Sequence, residues 1–299
     1  MEKVSFFDEI EKNRRNSIIL ASVVFLVLTS LVYVMAYSFV PEFSIFLLAF
    51  AVVFVTIYIY GTYNYGDSIV LSSVGAREVN ENDKEYVHLF DVVDGLSIAA
   101  GIPRPKVYVI ESDEMNAFAT GKDAEHASIA VTTGLLEGLK RDELEGVIGH
   151  ELSHIANYDI RFATLVAVMV GLIAILSDIM LRGWRFRTGE EREEKGGAGL
   201  LILIGLLLAI FSPLLVRLVQ FAISRKREFL ADASSAKLTR YPEGLASALE
   251  KIMKVNEGNM KVNEAVSHLF FVDPNKSSLD ILYATHPPIK ERIKLLRAM

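Results

Sequence analysis

The sequence contains no cysteine among its 299 residues. Disulfide bonds and thiolate metal ligands are therefore excluded, so any metal site must use histidine and carboxylate side chains. The sequence also lacks a broad stripe of basic residues, and its formal net charge is −6. This charge pattern disfavours nucleic-acid binding.

Apolar residues, by contrast, are abundant. Hydrophobic residues make up 52% of the chain, and the mean hydropathy is +0.34. This is too apolar for an ordinary soluble domain and indicates a membrane protein with a soluble part. Four apolar runs are long enough to span a bilayer: Ser17–Val40, Phe43–Tyr60, Ile160–Met180 and Ala198–Ile223.

The basic residues predict an orientation for these runs. They precede the first run and are missing from the turn between the first two, so the N-terminus and the region after Tyr60 are expected in the cytoplasm. Residues 182–197 carry five basic residues and oppose this orientation if they lie outside, but the first spans usually dominate. We therefore expect an uncleaved multi-pass protein of the cell membrane, with four spans and both termini cytoplasmic. Alternatively, the last two runs dip into the bilayer without crossing it.

Local patterns predict a connector over residues 61–83 and then a helix over Lys84–Ala100, ended by Gly101. Strands are predicted at Lys106–Ile110 and Ala127–Thr133. A small sheet should therefore directly precede the segment that carries the main motif.

That motif is H-E-x-x-H, formed by His150, Glu151 and His154 in a predicted helix over Asp142–Asp159. On a helix, the two histidines lie one turn apart on the same face, so both imidazoles can bind one metal ion. Glu151 lies beside the metal, where a general base can take a proton from the attacking water. The motif can occur by chance, so a metalloprotease also requires a third ligand and a substrate site.

Glu228 is the candidate third ligand. Two histidines and one glutamate leave a zinc coordination position open, as catalysis requires. Asp232, one helical turn further on, could hydrogen-bond the far nitrogen of a ligating histidine. Alternatively, both acids form a solvated face that balances Arg225 and Arg227. If the last two apolar runs form a hairpin, Glu228 and the H-E-x-x-H segment reach the same membrane surface, which favours the ligand interpretation.

Taken together, these features resemble the HtpX-like membrane zinc metalloproteases, relatives of the CAAX prenyl endoproteases. The resemblance rests on the N-terminal hairpin, HELSHIANYD, the two later apolar runs, SRKREFLAD and THPPIKER. It implies that His150, His154 and Glu228 bind one Zn2+ per chain, that Glu151 is the general base and that Asp232 supports a ligand. It also implies a role in membrane-protein quality control.

The resemblance extends to further candidate residues. His286 and Arg292 of THPPIKER are implied at the active site, with His286 donating to the oxyanion and Arg292 pairing with an acid. Asn116, Ala117 and Phe118 resemble a strand motif to which an extended substrate adds, with Asn116 holding a substrate carbonyl. Without the resemblance, His286 could be a helix cap, Arg292 a solvated residue and Asn116 part of a turn. The remaining histidines, His88, His126 and His268, are expected to bind no metal.

The expected fold class is mainly α with a small β-sheet (α+β), with about four transmembrane helices and a cytoplasmic zincin-type domain. We divide the chain into a transmembrane hairpin (1–60), the first part of the catalytic domain (61–159), a second transmembrane pair (160–223) and the second part of the catalytic domain (224–299). The expected partners are the lipid bilayer and polypeptide substrates, chiefly membrane proteins, and not nucleic acid.

Three other functions are alternatives for this sequence. A CAAX-type prenyl-protein protease would use the same chemistry, but the chain has fewer apolar runs than that family. A catalytically idle membrane scaffold would not need Glu151 beside two histidines. A transporter is disfavoured because the apolar runs carry few ionisable residues and show no inverted repeat.

Overall fold

The computed structural model describes residues 41–165, 167–168, 225–258, 260, 262–274 and 287–299, with scattered positions between 15 and 33. The predicted spans Ser17–Val40 and Ile160–Met180 are described only in part. Ala198–Ile223 and the loop at 182–197 lie outside the described residues. The chain forms two compact units, Met1–Tyr65 with Val168–Leu218, and Gly66–Ala167 with Val219–Met299. The predicted domain boundaries stay predictions.

One long helix, α1 (Ser44–Ser73), follows a short 3-10 turn at Pro41–Phe43. Its residues Ile45–Ser73 form the only helix in the described part of the chain that is long and apolar enough to cross a membrane. Many of its large apolar side chains are exposed, among them Ile45 and Phe46 at 76% and 71%. Such exposure is costly in water but ordinary in lipid.

The predicted connector after Tyr60 is wrong in its first part, because α1 continues to Ser73 without a break. No proline interrupts this segment, and its two glycines, at positions 61 and 66, each cost only about 1 kcal/mol of helix stability. The polar side chains of this segment are compatible with a helix. Asn64, for example, donates to the Tyr60 carbonyl one turn earlier, at 2.9 Å.

A four-stranded mixed sheet lies in the second unit, with strand order β1-β2-β4-β3. Its strands are β1 (Arg77–Glu78), β2 (Lys106–Ile110), β3 (Ala117–Gly121) and β4 (Ala127–Thr132). β2 and β4 are parallel, whereas β1 and β3 pair antiparallel with their neighbours. Periodicity predicted β2 and β4. Only the family resemblance indicated β3, which lies at the sheet edge.

Besides a helical segment over residues 159–165, seven helices lie in the described part of this unit. They are α2 (Val87–Ala100), α3 (Thr133–Gly138), α4 (Arg141–Ala156), α5 (Arg225–Thr239), α6 (Pro242–Val255), α7 (Glu264–Ser267) and α8 (Ile289–Leu296). As predicted, α2 ends at Gly101, whose φ of 68° suits a residue without a Cβ atom. The chain is thus mainly helical with a small mixed sheet, as predicted.

Helix α4 is the centre of the core. Its apolar side chains are at most 6% exposed, and they are Leu144, Val147, Ile148, Leu152 and Ile155. Burying five such side chains contributes on the order of 10 kcal/mol. Glu143 stabilises the start of α4, because its carboxylate accepts the Lys140 N–H at 2.7 Å and the Lys251 ammonium at 2.6 Å. The core therefore holds the H-E-x-x-H helix rigidly.

Candidate metal centre

Helices α4 and α5 bring His150, His154 and Glu228 together. The Nε2 atoms of the two histidines lie 3.1 Å apart. Glu228 Oε2 lies 3.7 Å from His150 Nε2, and Glu228 Oε1 lies 3.5 Å from His154 Nε2. In a tetrahedral zinc site, neighbouring nitrogen ligands are about 3.3 Å apart, given bonds of about 2.05 Å. The three side chains therefore fit a metal ion. They are also the only such group in the described residues.

Asp232 and Arg292 support His150 from behind. The Nδ1 atom of His150 lies 2.9 Å from Asp232 Oδ1, which leaves Nε2 free as a ligand. The fully buried Arg292 donates to both oxygens of Asp232, at 2.6 and 2.9 Å. Burial raises the pKa of Asp232, but Arg292 and His150 outweigh this effect and lower it to about 2. Asp232 thus lies beside the candidate ligand His150, and Arg292 forms an ion pair with Asp232.

Glu151 lines the same cavity as the three candidate ligands, together with Phe271. The cavity has a volume of about 50 Å³, enough for an ion and a water molecule. Burial opposes protonation of His154, but the Asp159 hydrogen bond and the charges of Glu228 and Asp159 raise its pKa to about 9. Without a metal, the His154 imidazole is therefore expected to be protonated at neutral pH.

Asn116 is fully buried at the start of β3, and its amide is engaged by the protein backbone. Its Nδ2 donates to the Val272 carbonyl at 2.8 Å, and its Oδ1 accepts the N–H groups of Val272 and Ala117 at 3.1 Å each. Phe271 also donates its N–H to the Ala117 carbonyl at 2.8 Å. The chain's own residues 271–272 therefore lie along the edge of β3 where the sequence predicts substrate.

One residue of β3, Ala119, lines the cavity, whereas Phe118 packs against Phe270 with ring centroids 4.9 Å apart. Of the three predicted substrate-binding residues, Asn116 and Ala117 contact residues 271–272, and all three are buried.

The other histidines differ in position. His286 lies outside the described residues. His88 and His126 are exposed, and none of His88, His126 and His268 belongs to a metal-binding group in the described residues. His268 nevertheless lines the cavity, with its Nε2 atom 3.3 Å from the Ala163 carbonyl.

Sequence reasoning missed three residues at this site, Asp159, Arg227 and His268. Asp159 and Arg227 are part of the HELSHIANYD and SRKREFLAD segments that carried the resemblance, but nothing in their spacing indicated a role. Their partners become visible only in the folded chain.

Comparison with known proteins agrees with this geometry. The model of peptidase family M48 matches residues 83–299. The whole chain is 46% identical to a Protease HtpX homolog of Dictyoglomus thermophilum and covers 96% of it. A Protease HtpX homolog of Thermoanaerobacter pseudethanolicus is 48% identical over 83% of each chain. The crystal structure of S. mikatae Ste24p shares the fold, with a TM-score of 0.50 and 21% identity over 94% of this chain and 66% of that one.

Proposed function

The chain belongs to peptidase family M48 and is a metalloprotease, and we propose that it is a zinc endopeptidase acting at the cytoplasmic face of a membrane. The observation that carries this proposal is the convergence of two imidazole Nε2 atoms and the Glu228 carboxylate beside Glu151 in one cavity. Family membership supports proteolysis, and the ligand set of two histidines and one glutamate supports zinc.

In the proposed mechanism, His150, His154 and Glu228 hold the zinc ion. When bound, zinc supplies Lewis-acid polarisation of the scissile carbonyl and makes a water molecule more acidic. Glu151 accepts the proton of the attacking water and later donates it to the leaving amine. Its position one residue from His150, on a rigid buried helix, keeps the carboxylate beside the reacting atoms throughout.

Other residues hold the ligands and the substrate. Asp232, charged and paired with Arg292, keeps the Nε2 atom of His150 directed at the metal. The outer edge of β3 near Ala119 binds an extended peptide through backbone hydrogen bonds. His286 donates to the oxyanion, a role carried by the family resemblance alone.

The proposed membrane arrangement has four spans with both termini in the cytoplasm. The length of α1 and its exposed apolar side chains support one span, and the distribution of basic residues supports the orientation. A site on the cytoplasmic surface of the bilayer favours membrane proteins as substrates, cut in loops or tails, and hence a role in membrane-protein quality control.

The test is cleavage of a reconstituted membrane protein by the detergent-purified chain with zinc, comparing wild type with Glu151→Gln. We expect the variant to retain one zinc per chain and to lose activity by about 10²–10⁴-fold. Glu145→Gln is the matched control, since Glu145 lies on the same helix but pairs with Arg141 at 3.1 Å.

Other outcomes would contradict the proposal in different ways. Equal cleavage by wild type and Glu151→Gln would refute Glu151 as the base. Zinc binding without any cleavage would favour the scaffold. Cleavage of only soluble proteins would refute membrane substrates, and cleavage of only a C-terminally prenylated peptide would favour CAAX processing.

A further inference from the structure

Each of the two histidines in the metal site belongs to a series of four neighbouring side chains: a histidine, an aspartate, an arginine and a phenylalanine. Around His150 lie Asp232, Arg292 and Phe271. The Arg292 guanidinium pairs with the Asp232 carboxylate at 2.6 Å, and its carbon lies 4.7 Å from the centroid of the Phe271 ring. Arg292 Nη2 also lies 3.3 Å from His150 Nδ1, and the Phe271 ring packs directly against the His150 ring. The same residue types occur next to His154.

The second series consists of His154, Asp159, Arg227 and Phe162. Asp159 Oδ2 lies 3.1 Å from His154 Nδ1, and Asp159 Oδ1 lies 3.4 Å from Arg227 Nη1. The guanidinium carbon of Arg227 lies 5.6 Å from the centroid of the Phe162 ring. Asp159 and Arg227 are each only 8% exposed. A buried carboxylate needs a cationic partner, and here Arg227 supplies it.

The local backbone explains how Asp159 reaches His154. Tyr158, just after the end of α4, has a φ of 59°, a left-handed conformation that is uncommon for residues other than glycine. This turn redirects the chain before a helical segment resumes at residues 159–165, so that the carboxylate of Asp159 returns to the last turn of α4. A strained residue beside a candidate active site is often retained for function.

Arg227 immediately precedes Glu228 in the first turn of α5. Its contact with Asp159 therefore joins the segment after α4 to the start of α5. This one contact affects two of the three candidate ligands. Asp159 contacts the His154 ring, and Arg227 lies in the helical turn that carries Glu228.

We propose that Asp159 and Arg227 form a clasp that fixes the tautomer and orientation of His154 and sets Glu228 at the metal. The inference rests on the proposed metal site. Both are positioning residues. The carboxylate accepts the Nδ1–H of His154, which directs Nε2 to the metal, and Arg227 holds the carboxylate in place.

Metal affinity of the full-length purified chain tests the clasp without relying on proteolysis. Zinc affinity is measured by chelator competition, and ligand geometry by the visible spectrum of the Co2+-substituted protein. We expect Asp159→Ala to weaken zinc binding by about 10–100-fold and to change the Co2+ spectrum. Asp159→Asn, which keeps an accepting oxygen, should have a smaller effect, and it carries the test if the alanine variant does not fold.

The matched control is Asp123→Ala. Asp123 also contacts a histidine, with its Oδ1 atom 2.6 Å from His126 Nδ1, but the pair is outside the metal group. This variant should keep wild-type zinc affinity and the wild-type Co2+ spectrum. Equal weakening by Asp123→Ala and Asp159→Ala would mean that the loss is a general effect on the fold, which would overturn the proposal.

Arg227→Gln completes a double-mutant cycle with Asp159→Asn. If the two residues act as one clasp, the double variant should bind zinc about as weakly as the weaker single variant, whereas independent effects would multiply. Multiplying effects would refute the clasp. Zinc affinity within about twofold of wild type in Asp159→Ala would refute the role of Asp159. Failure of the wild type itself to bind metal would instead refute the proposed function.

Discussion

Replacing Gly146 by alanine tests how closely α4 is held against its neighbour. A Cβ atom on Gly146 would lie 2.6 Å from the backbone nitrogen of Leu245 and 2.7 Å from its Cα, about 0.8 Å short of ordinary van der Waals contact. Both contacts are with the backbone of α6, so no side chain can rotate to relieve them. A Cβ atom on Gly244 would likewise lie 2.5 Å from the Asp142 carbonyl oxygen, so the two helices approach closely at two glycines.

The expected magnitude follows from two opposing effects. Glycine to alanine inside a helix is favourable by about 1 kcal/mol, whereas overpacking a rigid core costs about 1–3 kcal/mol or more. Because the clash involves two backbones, the cost should be at least at the upper end of that range. We expect Gly146→Ala to destabilise the protein by about 2 kcal/mol, which lowers Tm by roughly 4–8 °C for a domain of this size.

Gly95→Ala is the matched control. Gly95 lies inside α2, and a Cβ atom there would meet nothing within 4 Å. This variant should therefore be more stable than wild type by about 0.5–1 kcal/mol, because only the helix propensity changes. The assay is thermal unfolding of the detergent-purified, zinc-free protein. Equal Tm changes in the two variants, or a Gly146→Ala protein at least as stable as wild type, would refute the close helix contact.

Three further predictions concern the metal site and the edge of the sheet. Arg292→Gln leaves the Asp232 carboxylate buried without its guanidinium, so thermal unfolding should show a loss of about 3–5 kcal/mol, and an unchanged Tm would contradict the ion pair. Asn116→Ala removes three hydrogen bonds of about 1 kcal/mol each, so hydrogen exchange at the Val272 amide should accelerate, and unchanged exchange would contradict this contact. The pKa of His154 is about 9 in the folded protein, above its ordinary value of 6.5. Protonation of His154 therefore stabilises the metal-free folded state. This stabilisation is fully present below pH 6.5 and is lost as the pH rises through 9. The Tm of the zinc-free protein should therefore fall between pH 7 and about 9.5, and replacing His154 by alanine should remove that part of the fall.

The contacts of Asn116 bear on how substrate reaches the site. The sequence resemblance predicts that the Asn116 side-chain amide holds a substrate carbonyl. In the structure, its Nδ2 donates to the Val272 carbonyl and its Oδ1 accepts the Val272 N–H. A substrate that used Asn116 in the way the resemblance implies would therefore have to displace Val272 from it.

Several features of this protein could be predicted from local sequence alone. The spacing of His150 and His154 places them one turn apart on any helix, and the alternation in β2 and β4 and the stop at Gly101 depend only on neighbouring residues. The apolar run of α1 predicted a membrane helix for the same reason. Its predicted end at Tyr60 lies 13 residues before the end of the helix at Ser73, because a helix does not have to stop where its apolar run stops.

The remainder of the site was decided by tertiary structure. Glu228 and Asp232 are far from the H-E-x-x-H motif in sequence, and their charges alone also fitted a solvated face. Only the packing of α5 on α4 distinguishes these interpretations, since it buries both acids to 2% exposure. The partners of Asp159 and Asn116 are long-range for the same reason. Which buried groups meet depends on how the helices pack, and no local spacing encodes that.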